Sequence, residues 1–329
     1  MDYFRKLYQL ADNYLFARLQ NRPSTALFWY LPEPPYLQTK ADLSAYQRQM
    51  RVSPFYLIDY RQKLSYSLKN KSGIIVLPYA EPIGQQINPE AAFQYALGLH
   101  DHYLHTQEAA ALRQFFQYAD FFAKRQTKTG LWTYDFDWFG SKAPWASALA
   151  QARGASVMLR AGILSKNEQY YELATKALML FLQPTSAGGF SHIFTPEACP
   201  YYEEYPQTPS GVLNGFMAAL MSIWELQYWL KESWLKDLWQ QGLNSLEKML
   251  PYYSTGWWSL YDLDYYKGLP NVNSPRYHLL EIHYLKVLSL LSDSSKLSRE
   301  HEKRLSQYQR LWLRWRAFRL KLVRKIVYK

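Results

Sequence analysis

Apolar residues recur at the three- and four-residue spacing of an α-helix along most of this 329-residue chain. The spacing predicts one helix over residues 2–20. From residue 89 onward it predicts further helices, near residues 89–105, 107–126, 142–163, 167–182, 209–230, 232–249, 274–292 and 296–326. Short segments between the helices are rich in glycine or β-branched and aromatic residues and predict small strands or hairpins, at residues 74–77, 130–134, 188–191 and 256–261.

The repeated order of helix pair, loop and short strand is typical of α/α toroids, in which helix pairs surround a central cleft. We therefore expect a mainly α fold, an incomplete (α/α) barrel with short β-hairpins in its loops. Residues 1–80 are predicted to form an N-terminal helix and a short mixed region. Residues 81–309 would form the toroid, and residues 310–329 a basic C-terminal tail.

The net charge of +11 is concentrated in that tail, which carries eight basic residues and no acidic one. Without these eight charges the rest of the chain has a net charge of +3. The main body therefore lacks the strongly basic character of a nucleic-acid-binding protein. The basic residues of the tail are Arg310, Arg314, Arg316, Arg319, Lys321, Arg324, Lys325 and Lys329.

The tail is amphipathic if it is helical, with Trp312, Trp315 and Phe318 on the side opposite most of its basic residues. Such a helix suits the surface of an anionic membrane. The alternative is a final helix that packs on the body and shows a solvated basic face. Both interpretations stay open from the sequence.

Cys199 is the single cysteine, so no internal disulfide can form. Residues 1–22 mix charged with apolar side chains and show no signal-peptide core. No window approaches the roughly 18 apolar residues of a membrane-spanning helix. We expect a cytoplasmic protein, attached peripherally at the membrane if the tail binds anionic lipid.

Residues 200–210 (PYYEEYPQTPS) place two carboxylates among three phenols, directly before a long apolar helix. Helix capping at this position needs only Thr208 or Ser210. A proline-bounded loop with so many proton-handling side chains is typical of a site that moves protons on a hydroxyl-rich ligand. The plain alternative is a solvated loop.

The same loop also carries a family resemblance. Residues 202–210 (YEEYPQTPS), followed by residues 212–216 (VLNGF), resemble the signature of the glucuronyl C5-epimerase C-terminal domain. Further segments resemble the family in the same order, at residues 88–98, 143–153, 250–263 and 276–278. The resemblance extends from about residue 70 to about residue 300. It implies epimerisation of D-glucuronate to L-iduronate within a polysaccharide or its lipid-linked precursor, without a cofactor.

The resemblance also implies roles for individual residues. It assigns proton transfer to four residues, which are Glu204, Tyr205, Tyr261 and Tyr277. It assigns contact with the substrate to Glu203, His278, Trp145 and Asn214, and two cations, Arg276 and Arg153, complete the candidate substrate contacts. In a chain with 29 tyrosines, the plain alternative for Tyr261 and Tyr277 is a core position.

Inversion at C5 requires removal of a proton from one face of the sugar and donation from the other, with the carbanion stabilised as an enediolate. Glutamate titrates near pH 4.3 and tyrosine near pH 10, so tyrosine is an acid without any pKa shift. We therefore expect Glu204 to remove the proton in one direction while Tyr277 donates on the opposite face.

One departure from the family pattern bears on the binding of the substrate carboxylate. The family has an arginine where this chain has Asp264, so either another cation serves or the activity has changed. Arg276 is the nearest candidate in the sequence, followed by Lys267 and Arg153. Two other activities stay open: a uronate lyase, which shares the proton abstraction, and a non-catalytic carbohydrate-binding protein of polysaccharide assembly.

His100, His102 and His105 are close in the sequence, but zinc sites need three or four converging ligands. We interpret them as a solvated helix end and predict no metal. The expected partners are a uronic-acid-containing polysaccharide, an anionic membrane surface and a second copy in a homodimer, with no nucleic acid.

Overall fold

The computed structural model describes residues 24–49, 54–263 and 270–327. The helix predicted over residues 2–20 lies outside these ranges, as do Asp264 and Lys267. The described helices are α1 (Thr25–Tyr30), α2 (Lys40–Gln49), α3 (Pro89–Thr106), α4 (Ala109–Arg125), α5 (Ala148–Ser165), α6 (Glu168–Met179), α7 (Leu213–Leu230), α8 (Ser233–Met249), α9 (Pro275–Ser292), α10 (Ser295–Gln309) and α11 (Leu311–Val327).

Strands are short and lie in loops between helices. Strands β1 (Leu77–Pro78) and β2 (Gln85–Gln86) pair antiparallel just before α3. Strands β3 (Ser191–Phe194) and β4 (Cys199–Tyr202) form an antiparallel hairpin between α6 and α7, with Ser191 opposite Tyr202. This hairpin ends where the loop with the two carboxylates begins.

The helices form four antiparallel pairs, and the first member of each pair lies inside. Helices α3, α5, α7 and α9 are buried along most of their length, and neighbours in this order pack on each other. Helices α4, α6, α8 and α10 bury one face against them. This arrangement confirms the predicted mainly α, incomplete (α/α) barrel.

The sequence of α5 explains why it lies inside. Most of its residues are small or apolar, and its large polar residues Gln151, Arg153 and Arg160 are buried as well, so the helix is surrounded by protein. Gly154 permits the closest packing, since a β-carbon there would lie 2.6 Å from the ring of Trp132. A larger residue at position 154 would force the helix and the ring apart.

The inner helices begin at the same end of the barrel. The amide of Ala148 donates to Glu203 O (3.3 Å), and the amide of Leu213 donates to Tyr261 O (3.2 Å). The ring of Tyr277, in the first turn of α9, contacts Tyr261. The helix starts and the loops that precede them therefore meet in one region.

Three predicted boundaries differ from the structure for local reasons. Helix α5 begins at Ala148 and not at residue 142, because Trp145 pairs its backbone with Tyr134. Helix α7 begins at Leu213 and not at residue 209, because residues 210–211 bind a carboxylate (below). The helix predicted over residues 296–326 is two helices, α10 and α11, separated at Arg310.

The predicted strands are only partly present. The segment 188–191 leads into the β3–β4 hairpin, and of residues 74–77 only Leu77 lies in a strand. The segments 130–134 and 256–261 contribute isolated backbone bridges, Tyr134–Trp145, Ser254–Ser259 and Leu260–Val272. Each segment is held by single pairings between loops and does not form an extended hairpin.

The predicted solvated helix end is only partly correct, because His105 is exposed and His102 is partly exposed but His100 is not solvated. His100 and Asp101 are fully buried, and His100 Nδ1 lies 3.2 Å from Asp101 Oδ1. The amide of Tyr56 donates to the same oxygen (3.1 Å). The N-terminal segment covers this helix end, which the sequence spacing could not indicate.

The C-terminal helix α11 packs on the body through Leu313 and Ala317, which are both buried. Its outward face is apolar, since Trp312 is 59% exposed, Trp315 65% and Phe318 49%. The solvated face expected for a packed tail is thus aromatic as well as basic. No helix in the described ranges is long and apolar enough to cross a membrane.

Candidate functional site

Glu203 holds the loop before α7 in shape. Its Oε2 accepts hydrogen bonds from the Tyr201 hydroxyl (2.7 Å), the amide of Ser210 (3.1 Å) and the amide of Gly211 (3.0 Å). Its Oε1 accepts from the amide of Tyr205 (3.1 Å). The side chain is fully buried. Glu203 therefore has a structural role in place of the predicted contact with substrate.

Glu204, the next residue, presents an oxygen without a partner. The residue is 7% exposed, and Oε2 is buried with no hydrogen bond from any described residue. Its carboxyl group interacts with the Tyr205 hydroxyl. A β-carbon on Gly215, in the first turn of α7, would lie 2.3 Å from Oε2. Glycine at this position therefore makes room for the carboxylate.

Burial raises the pKa of Glu204 to about 8. The negative charges of Glu203 and Asp262 raise this pKa further, whereas the Tyr205 hydroxyl and Arg153 act in the opposite direction. A buried carboxyl group with like charges nearby resists ionisation. Once ionised, Glu204 is therefore a stronger base than an exposed glutamate.

Two phenols, Tyr205 and Tyr261, interact with this carboxyl group, and a third, Tyr277, contacts Tyr261. The rings of Tyr261 and Tyr277 meet edge to face, with centroids 5.3 Å apart. Burial, followed by the charge of Glu204, raises the pKa of Tyr205 and of Tyr261 well above 10. Both therefore stay protonated at neutral pH. Tyr205, Tyr261 and Tyr277 each keep part of their surface accessible to solvent, as side chains at the floor of a recess do.

A buried polar network supports Tyr261 and Tyr277 from behind. His278 Nδ1 lies 2.7 Å from Ser259 Oγ, and His278 Nε2 lies 3.1 Å from the carbonyl oxygen of Arg304. Asn273 Nδ2 donates to Ser259 Oγ (2.8 Å) and to Glu281 Oε1 (2.7 Å), and Glu281 pairs with Arg304. Burial, and secondly the charge of Arg304, lowers the pKa of His278 to about 3.

His278 is therefore a neutral core histidine with both ring nitrogens occupied, stacked on Trp258 with centroids 3.8 Å apart. The predicted substrate contact at His278 does not fit this position. His278 holds the first turn of α9 against the loop that carries Tyr261. Tyr277 lies in that first turn and is held with it.

The arginine predicted first for the substrate carboxylate binds the N-terminal segment. Arg276 Nη2 donates to Leu31 O (2.6 Å) and lies 3.3 Å from Glu33 Oε1. Glu33 also forms a buried ion pair with Lys63 (2.7 Å). Arg276 therefore closes the barrel where the N-terminal segment passes α9, and the predicted substrate contact does not fit its geometry.

Arg153, the other described candidate, forms a buried ion pair with Glu90 and donates from Nη2 to the Tyr284 hydroxyl (2.7 Å). Its charge reaches Glu204 and lowers that residue's pKa. Arg153 is 1% exposed. The positive charge of Arg153 therefore acts on the site electrostatically, although its side chain is buried.

Aromatic rings form one wall of the site. Trp145, which is 5% exposed, stacks on Tyr134 with centroids 4.0 Å apart and lies 5.6 Å from the ring of Tyr205. Phe139, which is 62% exposed, approaches the other side of Tyr205 at 5.6 Å. Trp145 therefore positions Tyr205, and Phe139 is the ring that can meet a sugar.

Asn214 lies in the first turn of α7, beside Gly215. It is 6% exposed, and its Oδ1 is buried without a hydrogen bond from a described residue. The first amides of a helix carry a partial positive charge, which favours an anionic ligand. The starts of α5, α7 and α9 around Glu204 add such charge, and Asn214 is placed to contact a ligand there.

The sequence analysis missed Tyr134 and Phe139, although both lie in the aromatic run 132–139, which directly precedes the family-like segment 143–153. Within the described residues, no group of three or more His, Cys, Asp and Glu side chains could hold a metal ion. A depression of about 570 Å³ lies elsewhere, between α6 and the end of α7, and is lined by Tyr171, Lys176 and Trp229 among others. It contains none of the proton-transfer candidates.

Comparison with known proteins connects this geometry to a family. The family model described as D-glucuronyl C5-epimerase C-terminus matches residues 125–306, a range that includes the four proton-transfer candidates and ends before α11. The D-glucuronyl C5-epimerase of Caenorhabditis elegans is 31% identical over 206 residues, which are 56% of this chain and 33% of that protein. The chain therefore matches about a third of the length of that relative.

Two further similarities are more distant. An uncharacterised protein of Methanocaldococcus jannaschii is 29% identical over 137 residues, 40% of this chain and 44% of that protein. The GH76A alpha-1,6-mannanase of Salegentibacter sp. HEL1_6 superposes with a TM-score of 0.52 at 12% identity, over 80% of this chain and 70% of that one. The second likeness concerns the fold alone.

Proposed function

We propose, because the chain belongs to the D-glucuronyl C5-epimerase family, that it inverts C5 of hexuronic acid residues within a polysaccharide, converting D-glucuronate to L-iduronate. The single observation that carries the proposal is the buried, unpartnered Oε2 of Glu204 beside the phenols of Tyr205 and Tyr261. A base in this position needs a C–H acid as its partner, and C5 of a uronic acid is such a group because the adjacent carboxylate stabilises the carbanion.

In the first step, ionised Glu204 takes the C5 proton of glucuronate. The electron pair of the C–H bond moves into the C5–C6 bond and gives an enediolate. The hydroxyl groups of Tyr205 and Tyr261 stay protonated and donate hydrogen bonds to the developing negative charge. The charge removed from Glu204 is thereby transferred to the sugar and held there by neutral donors.

In the second step, Tyr277 donates its phenolic proton to the opposite face of C5, and the enediolate returns to a carboxylate of inverted configuration. Solvent then reprotonates the tyrosinate and removes the proton from Glu204. In the reverse direction the roles exchange. The edge-to-face contact of Tyr277 with Tyr261 supports this assignment, because it brings a phenol from α9, and not from the loop of Glu204, to the candidate site.

The pH dependence follows from the raised pKa of Glu204. Only the ionised carboxylate accepts a proton, so kcat/KM should rise roughly tenfold per pH unit up to about pH 8 and then level off. Tyr205 and Tyr261 add no descending limb below pH 10, because their pKa values lie above it. Initial rates at low substrate between pH 6 and pH 9 measure this profile. A maximum at or below pH 6 would contradict Glu204 as the base.

The product distinguishes epimerisation from the two alternatives. An epimerase leaves chain length unchanged and gives iduronate, which NMR of the polymer detects. A lyase expels the C4 substituent, so it shortens the polymer and produces an unsaturated uronate that absorbs in the ultraviolet. A protein that only binds the polymer alters neither. The appearance of unsaturated uronate at the chain ends would overturn the proposal. So would the finding that every glucuronate-containing polymer tried stays unchanged.

We also propose that the outward face of α11 rests on an anionic membrane surface, where a lipid-linked polymer would be handled. Trp312, Trp315 and Phe318 are exposed in one row on a helix whose inward face is already packed. The surrounding charge is entirely basic, which complements anionic lipid. The cytoplasmic location expected from the sequence remains a prediction.

Flotation with phosphatidylcholine vesicles containing phosphatidylglycerol tests this surface. Replacing Trp312, Trp315 and Phe318 by serine should weaken vesicle binding by at least about three orders of magnitude, since burial of each ring contributes about 1.5–3 kcal/mol. Ile193→Ser, at an exposed apolar residue on β3, is the control and should float normally. If the triple variant floats normally, or if it instead converts a dimer to a monomer without lipid, the face does not bind membrane.

A further inference from the structure

Helix α11 brings a cation to the candidate site from beyond the residues that the family model matches. Lys321 Nζ lies 4.9 Å from the centroid of the Tyr261 ring. It also donates to Asn271 Oδ1 (2.6 Å). The stem of Lys321 points inward, because Lys321 lies one turn after the buried Ala317 on the same side of the helix.

Asn271 links this lysine to the backbone and charges of the site. Its backbone carbonyl oxygen accepts a hydrogen bond from the amide of Tyr261 (2.7 Å), and its side-chain Nδ2 donates one to Asp262 Oδ2 (2.6 Å). Lys321, Asn271 and Asp262 therefore form a chain of contacts around Tyr261. The ammonium group sits where the charge of Asp262 and the face of the phenol both attract it.

A uronate substrate needs a cation at this place. The site already holds Glu204 and Asp262, and each raises the pKa of Tyr261 through its negative charge. A third carboxylate, that of the sugar, meets repulsion there unless a positive charge accompanies it. Charge also accumulates on that carboxylate when the enediolate forms, so a cation beside it stabilises the transition state more than the ground state.

The two described arginines considered for this task are committed elsewhere. Arg276 binds Leu31 O and Glu33, and Arg153 is buried in its pair with Glu90. Lys321 is partly accessible and ends in a flexible stem with three rotatable donors.

We propose that Lys321 binds the C6 carboxylate of the uronic acid residue whose C5 is inverted. The inference rests on the proposed function for the identity of the reaction, but its binding test does not. It makes α11 a part of the site, held in place by Leu313, by Ala317 and by the contact of Arg316 with the Trp257 ring (4.1 Å).

The test compares binding of a short glucuronate-containing oligosaccharide with binding of the same oligosaccharide after reduction of its carboxyl groups to hydroxymethyl groups. Measurements use the full chain at about 0.15 M salt, which screens general attraction beyond roughly 8 Å. The wild-type protein should prefer the carboxylate form at least tenfold. Lys321→Met should lose most of this preference while binding the reduced form normally, and Lys321→Arg should restore part of it.

Lys296→Met is the matched control, because Lys296 is an exposed lysine on α10 and the substitution removes the same charge. It should keep the wild-type preference. If Lys321→Met also keeps that preference, or if both variants lose it equally, Lys321 does not bind the carboxylate. If the wild-type protein catalyses no C5 exchange, the proposed function fails, and the binding comparison still decides the role of Lys321.

Discussion

Glu204→Gln should abolish proton exchange at C5 of glucuronate, with a loss of at least about 10³-fold in rate. Glutamine keeps the shape of the side chain but cannot accept the proton, and general base catalysis contributes roughly 10²–10⁴-fold. Incubation of a glucuronate polymer in heavy water, with deuterium at C5 measured by NMR, gives the rate. Glu172→Gln, at an exposed position on α6, is the control and should exchange normally.

The same substitution should stabilise the protein at neutral pH. Burial raises the pKa of Glu204 above that of the unfolded chain, so the unfolded state ionises first as the pH rises. This destabilises the fold increasingly from about pH 4.5 to about pH 8, and at pH 7 the cost is up to about 3 kcal/mol. Glu204→Gln removes it, so its gain in Tm should be largest at pH 8 and absent at pH 4. A variant that loses both exchange and stability would indicate a structural role.

Tyr277→Phe should separate exchange from inversion. Glu204 can still remove the C5 proton of glucuronate and return a deuteron to the same face, but the opposite face has no donor. In heavy water the variant should therefore give glucuronate with deuterium at C5 while iduronate formation falls by at least about 10²-fold. Phenylalanine keeps the ring contact with Tyr261, so the fold should be preserved.

Tyr103→Phe, a phenol near the end of α3, serves as the control and should leave both readouts unchanged. Normal inversion by Tyr277→Phe would remove Tyr277 from the reaction. Loss of exchange together with inversion would instead place Tyr277 on the same face as Glu204.

Much of the fold follows from local patterns in the sequence. The apolar spacing predicts the helices of the pairs, and the glycine- and aromatic-rich segments predict the loops between pairs. The boundaries that went wrong depend on contacts made outside the helices, which helical spacing does not encode. Trp145 is extended because it meets Tyr134, and residues 210–211 stay outside α7 because Glu203 binds their amides.

The candidate site divides in the same way. The run 202–210 indicated Glu204 and Tyr205 as site residues. Residue type alone could not show that the carboxylate of the adjacent Glu203 binds amides of its own loop. His278 has the chemistry of a site residue, yet both ring nitrogens are occupied in the core. The sequence places Lys321 only in a basic tail, because its approach to Tyr261 depends on how α11 packs on the body.

The most direct test of two-sided proton transfer is NMR of a glucuronate polymer during its first turnovers with the wild-type protein in heavy water. Two groups on opposite faces, each in exchange with solvent, predict that every new iduronate residue carries deuterium at C5 and that the polymer keeps its length. Iduronate that retains the original protium would mean that one group carries the same proton across both faces. Either that result or an unsaturated uronate product would contradict Glu204 and Tyr277 as opposed partners.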